Sequence, residues 1–284
     1  MSSRSAPTPS VLYVVPSLGS RPEYLELTLD SIQGQRGPRV DAVLVAPASA
    51  THLADVAARR GIALVVQSGV GMSGAINDGW RALGDGYDYL AWLGDDDELT
   101  PASSATAVGY LERHTRSAMV YGRCDYVDAD GRVLFQARPS ALAGRLLRWG
   151  PDLVPQPGSI ARASAVRAVG YLDEDLRYAM DLDLFLRLKD VGAIGYVPRS
   201  LARFRWHEGS TTVGSPVASD AEARLVRSRT WVGRRRVGYP AERPAMLAGR
   251  LLHRAQRGLT GRRQEPPPNG SRPAPRGRSG SGPR

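Results

Sequence analysis

The chain has 284 residues, 42% of them hydrophobic, enough for one large domain or two small ones with a substantial core. Its single cysteine, Cys124, excludes an internal disulfide and gives no sign of a structural zinc site. The formal charge of +10 is unevenly spread: from Arg224 onward 16 Arg and 2 Glu carry +14, which leaves −4 on residues 1–223.

The opening MSSRSAPTPS lacks the apolar core of a leader peptide, and no run of about 18 apolar residues follows that could span a membrane. Residues 11–15 (VLYVV) are apolar and β-branched, end at Pro16, and read as a buried strand. Residues 22–33 read as a helix, with Pro22 in the first turn and Leu25, Leu29 and Ile32 on one face. A second strand is expected at 41–46, a helix at 51–60 closed by Gly61, and a third strand at 62–67. The glycine-rich stretch 68–74 reads as a loop leading into a helix at 75–84, and 87–93 (YDYLAWL) as a fourth strand. This alternation predicts a mostly parallel sheet covered by helices, with ligands beyond the carboxyl ends of its strands.

Residues 101–114 read as a helix, 118–135 as strands joined by a turn at Asp130 and Gly131, and 141–149, 163–170 and 180–191 as helices. GAIGYVP (192–198) reads as a strand, and the globular part is expected to end near residue 230. Segment 243–259 spaces Leu247, Leu251, Ala255 and Leu259 by four residues among arginines, the pattern of a basic amphipathic helix that lies on an anionic membrane or packs on the body. From Glu265 the Pro, Gly, Ser and Arg content is that of a disordered segment.

The chemistry concentrates in LAWLGDDDE (90–98), where four acids follow a greasy strand. At about 5 Å and an effective dielectric of about 20, each close pair costs roughly 3 kcal/mol. A hard divalent cation ligated by the carboxylates removes that repulsion. An acid-decorated helix N-terminus is an equal reading of the triple alone. Asp181 and Asp183 open an amphipathic helix, where Asp is commonly a cap. His207, after an expected strand end in FRWHEGST (204–211), is a metal-ligand or acid–base candidate, with a structural role as its alternative.

In order, VVPSLGSRPEYLELTLDSI, GMSGAINDG, WLGDDDELTP, VYGRCDYVDADG, GSIARASAVRAVGYLDEDLRYAMDLDLFLRL and FRWHEGSTT resemble the motifs of the family 2 glycosyltransferases, from about Val11 to Thr212. The resemblance implies an α/β GT-A (Rossmann-like) fold and inverting transfer of a sugar from a nucleotide-diphosphate donor to a hydroxyl. It implies a cofactor, Mn²⁺ or Mg²⁺, held by Asp97, Asp95 and His207, and Asp181 as the catalytic base. Pro16, Ser17, Asn77, Asp95 and Asp96 match the donor side, with Asn77 expected to fix a loop by hydrogen bonds. Asp183 and Arg205 are expected to support the site from behind, and Arg187 to act as an ion-pair partner or a ligand.

The expected domains are a flexible 1–8, a glycosyltransferase domain at 9–218, a helical basic extension at 219–264 and a disordered 265–284. Three departures fall on the nucleotide side: Ala46 and Pro47 end the second strand, and Gly69 and Gly74 stand where relatives carry acids. A UDP-sugar is the first expectation for the donor, with thymidine and guanosine diphosphate sugars next. The acceptor is expected to be a glycan or a lipid-linked group in cell-surface polysaccharide or glycolipid synthesis, with no nucleic acid as partner. The expected location is the cytoplasm, at the inner face of the membrane if 243–259 binds it. The alternative reading is a non-catalytic sugar-nucleotide or glycan-binding module with a degenerate nucleotide site.

Overall fold

The computed structural model describes residues 7–150, 152–206 and 216–230. In chain order the elements are β1 (Ser10–Pro16), α1 (Pro22–Gln33), β2 (Arg39–Ala46), α2 (His52–Arg60), β3 (Ala63–Val66), α3 (Gly71–Leu83), β4 (Tyr89–Trp92), β5 (Glu98–Leu99) and α4 (Ser103–Arg113). They continue with β6 (Ser117–Val127), β7 (Val133–Ala137), α5 (Ala141–Leu146), β8 (Ile160–Arg162), α6 (Ala163–Val169), α7 (Met180–Val191), β9 (Ala193–Arg205) and α8 (Pro216–Thr230).

The strands form one sheet in the order β3-β2-β1-β4-β8-β6-β9-β5, with β7 added on β6. The first four are parallel to one another, and β6 and β9 are also parallel. Strands β8, β5 and β7 pair antiparallel with their neighbours. Strand β1 explains its unbroken apolar run by being buried on both faces. Leu12 and Val14 enter a core shared with α3, α6, α7 and α8, while Val11, Tyr13 and Val15 enter one shared with α1, α2 and α4.

The expected strand–helix order is present, with differences that have physical reasons. Helix α3 starts at Gly71 rather than near 75, so part of the glycine-rich stretch is helical. A Cβ on Gly74 would lie 2.3 Å from the backbone carbon of Gly69. Glycine is therefore demanded by backbone packing across the first turn and does not mark a loop. Gly79 plays the same part further along, because a Cβ there would meet both Val14 methyls at 2.8 Å. Strands β5 and β8 have two and three residues, too few for any periodicity to reveal. Helix α5 ends at Leu146 instead of 149, and β9 continues past 198 to Arg205 because it follows β6 along its length.

Candidate active site

The carboxyl ends of β1 and β4 lie side by side, since Val14 is registered against Trp92. Gly94 to Asp97 form a tight turn closed by Asp97 N–H donating to Gly94 O at 3.2 Å. Each acid of that turn is held by a different part of the chain. Ser17 donates its hydroxyl to Asp95 Oδ2 at 2.7 Å and accepts Gly19 N–H at 3.0 Å. Arg21, at the entrance to α1, reaches Asp96 Oδ2 at 2.6 Å and Asp95 Oδ1 at 3.7 Å. Thr28 donates to the Asp97 carbonyl at 2.7 Å.

Asp97 is buried, and the backbone N–H of Arg205 donates to its Oδ1 at 3.1 Å. The Arg205 side chain, 2% exposed, runs beneath the turn. It donates to the carbonyls of Asp96, Asp128 and Ala129 at 2.9–3.1 Å, pairs with Glu98 at 2.5 Å, and stacks over the Tyr24 ring at 4.5 Å. These bonds need the five-donor planar fork of arginine. Burial pushes the Asp97 carboxyl well above the usual carboxylate range, the charge of Asp96 adds to this, and Arg205 opposes it. Burial also raises Asp95, against the Ser17 hydroxyl.

A Cβ on Gly94 would lie 2.9 Å from Asp96 Oδ1 and 3.0 Å from Asp97 Oδ2. The bare glycine thus leaves a cradle that two carboxylate oxygens face. Hard oxygen donors beside crowded negative charge fit Mg²⁺ or Mn²⁺, whose remaining positions are commonly water or phosphate oxygens. Among the described residues no set of three or more His, Cys, Asp or Glu is arranged to hold a metal.

The second acidic centre is carried by α7. Asp181 is partly exposed, and its Oδ1 accepts the Leu182 N–H at 2.8 Å. Crowding by protein raises Asp181 from 3.8 to about 6. Asp152 is raised to about 7 by the same crowding and by the charge of Asp181, with Arg227 opposing. Both groups still reach solvent. The loop that carries Asp152 is tied to the first centre, because Gln156 donates to the carbonyl of Trp92 at 3.0 Å.

The family model for Glycosyl transferase family 2 matches residues 13–179, more than half of the chain. The chain belongs to glycosyl transferase family 2. Uncharacterised glycosyltransferases of Rickettsia typhi and Rickettsia prowazekii are each 21% identical over 215 residues, 72% of this chain and 66% of the relative. The chain thus spans just under two thirds of the length of these curated relatives. S. aureus TarS 1–349 in complex with UDP-GlcNAc superposes with a TM-score of 0.60 at 15% identity, covering 82% of this chain and 70% of that one. The same fragment in complex with UDP gives 0.58 at 13% identity, covering 82% and 69%. The likeness shows the GT-A fold, in which a family 2 domain sets a curled, mostly parallel sheet between helices.

Within this family 2 domain, Ser17, Asp95, Asp96 and Asp97 come together at one edge with Pro16 at the end of β1. Asn77 is fully buried and its amide is committed to the loop after α6: it donates to Leu172 O and Glu174 and accepts Leu172 N–H, all at 2.9–3.0 Å. Asp183 is buried on the other side of α7 in a pair with Arg187 at 2.5 Å. His207 and segment 243–259 lie outside the described residues.

Gly69 and Gly74 are filled by each other, and the carboxylate of Glu174 occupies the space beside Gly69, with Oε2 2.9 Å from where a Cβ would be. Arg21, Asp152 and Gln156 were not singled out from the sequence. Arg21 had a usable signal, a cation at a helix entrance in a chain that needs one near its acid triple. Asp152 and Gln156 sit in an irregular stretch with no periodicity, where nothing local marks them.

Proposed function

We propose that this chain is a metal-dependent, inverting glycosyltransferase that moves a sugar from a nucleotide-diphosphate donor to a hydroxyl acceptor. The observation that carries the reading is the Asp181 carboxyl. It is oriented by the Leu182 amide, remains partly exposed, and lies beside Asp152, whose loop is tied through Gln156 to the strand that leads into the acid triple. The Asp181 carboxylate accepts the proton as the acceptor oxygen bonds to the anomeric carbon, and the bond from that carbon to the diphosphate oxygen breaks. Ser17 and Pro16 would line the donor, and Asp97 with Asp95 and Asp96 would hold the cation. Mn²⁺ or Mg²⁺ bound there would stabilise negative charge on the departing diphosphate. UDP is the first candidate nucleotide, supported by the TarS complexes with UDP-GlcNAc and UDP.

The acceptor is proposed to be a glycan or lipid-linked group of the cell surface, with 243–259 as a membrane contact. No helix among the described residues is long and apolar enough to cross a membrane. Calorimetry with UDP, dTDP and GDP, each with Mn²⁺, tests the donor side, and sugar release from UDP-GlcNAc by wild type and Asp181→Asn tests the base. Tight UDP binding and turnover lost in the variant are expected. Binding of none of the nucleotides overturns the assignment, and binding with no turnover of any donor identifies a binding module instead.

A further inference from the structure

The segment 170–179 enters α7 without regular secondary structure, after Gly170 and Tyr171 at φ of +85° and +68°. Irregular chain of this kind leaves its amides to be satisfied from elsewhere. On one side α3 supplies partners: Asn77 at Leu172, and the Ser73 hydroxyl donating to Leu176 O at 3.2 Å and touching Met180 Sδ at 2.9 Å. On the other side stands Glu222 of α8. Its carboxylate accepts three consecutive backbone N–H groups, those of Arg177 at 2.9 Å, Tyr178, and Ala179 at 2.6 Å. The next acid in the chain is Asp181, which takes the N–H of Leu182.

Helix α8 is firmly seated for this task. Val226 and Arg227 are buried, Val226 within the core that holds α7, and Arg229 pairs with Asp173 at 2.6 Å. Glu222, Val226, Arg227 and Arg229 all lie beyond residue 179, where the family match ends.

We infer that Glu222 is a positioning residue: by gathering the amides of 177–179 it sets the entry of α7 and so the placement of the Asp181 carboxyl. The inference rests on the reading of Asp181 as the base. Charge-assisted bonds to three adjacent amides are stronger than neutral ones and fix the backbone direction. Glu222 also acts through its field, since its negative charge raises the Asp181 carboxyl, behind the larger effect of burial. The other charged groups nearby are Asp152, which Arg227 of α8 opposes, and the mutually paired Asp183 and Arg187 on the far side of α7.

The test uses the full chain and reads two things. One is the Asp181 titration midpoint by carboxyl carbon NMR; the other is Mn²⁺-supported sugar release from UDP-GlcNAc as a function of pH. In Glu222→Gln, which keeps an acceptor oxygen, plateau turnover is expected within about threefold of wild type, and the midpoint and acid limb move to lower pH. In Glu222→Ala, turnover is expected to fall at least about tenfold with the KM for UDP-GlcNAc nearly unchanged, as for loss of a group acting on the transition state. A wild-type midpoint in Glu222→Gln, or in a folded Glu222→Ala, overturns the proposal. So does unchanged turnover in Glu222→Ala when Asp181→Asn is inactive. Asp181→Asn as active as wild type overturns the base assignment instead, and the NMR midpoint then decides the placement by itself.

Discussion

The edge that carries the acid triple and the edge that carries Asp181 are built in opposite ways. The three aspartates of the triple sit on a four-residue turn, and they are anchored from just after β1, from the entrance to α1 and from the end of β9. On the second edge, Asp181 and Asp152 stand at the ends of irregular chain, and the order of that chain depends on α3 and α8. Both edges concentrate negative charge at a cost in solvation. The first answers it with fixed cations and a cradle that suits a metal. The second leaves its carboxyl partly exposed and raised toward neutral pH. In the proposed function the rigid edge would take the ionic donor, and the edge ordered from outside would be where acceptor choice can be altered without disturbing the sheet.

The largest expected effect breaks the rigid edge. Arg205→Ala removes a buried guanidinium from Glu98 and three carbonyls, and should cost about 3–5 kcal/mol in urea unfolding. Arg205→Lys should recover only part of this, because a single ammonium cannot span four acceptors. A loss under 1 kcal/mol would show that the turn is held by the backbone alone.

On the other edge, Asp181→Asn should lower kcat by about 10³-fold. Its melting temperature at pH 7.5 should not fall. The folded value of about 6 exceeds the ordinary 3.8, so Asp181 favours folding when protonated and disfavours it once ionised. The gain in the variant should shrink as pH drops from 6 toward 4.

At the first turn of α3, Gly74→Ala forces a methyl into the backbone of Gly69 and should cost about 1–3 kcal/mol. Gly109→Ala, whose Cβ meets only the end of Arg113 at 3.4 Å, is the control and should be neutral or stabilising. Equal stability of the two variants would show that the contact at 69 and 74 can relax.

The mildest test is pH. A base that titrates at about 6 must be ionised to work, so kcat should be flat above pH 7 and about tenfold lower at pH 5. A profile flat down to pH 4.5 would remove Asp181 from the proton transfer.

Much of this was legible in the chain. The parallel half follows from apolar runs and their spacing, since β4, most of β1 and the second half of β2 are buried on both faces and are apolar almost throughout. Asp95 to Asp97 and Asp181 stand out because acids at element ends are costly without a purpose. Gly69 and Gly74 were legible as glycines but not in their meaning. Their reason is a backbone contact between a loop and a helix turn, which residue type alone does not specify.

What the amino-acid order determined by itself is therefore local: which runs are buried, where helices begin, and which carboxylates share a turn. Tertiary structure decided the rest. It brought Arg21 to Asp96 across 75 residues, Gln156 to the end of β4 across 64, and Glu222 to the amides before α7 across more than 40. Periodicity reports only neighbours within a turn or a pleat. Contacts of that range arise when apolar faces pack and carry polar side chains with them, so they become visible only in the folded chain.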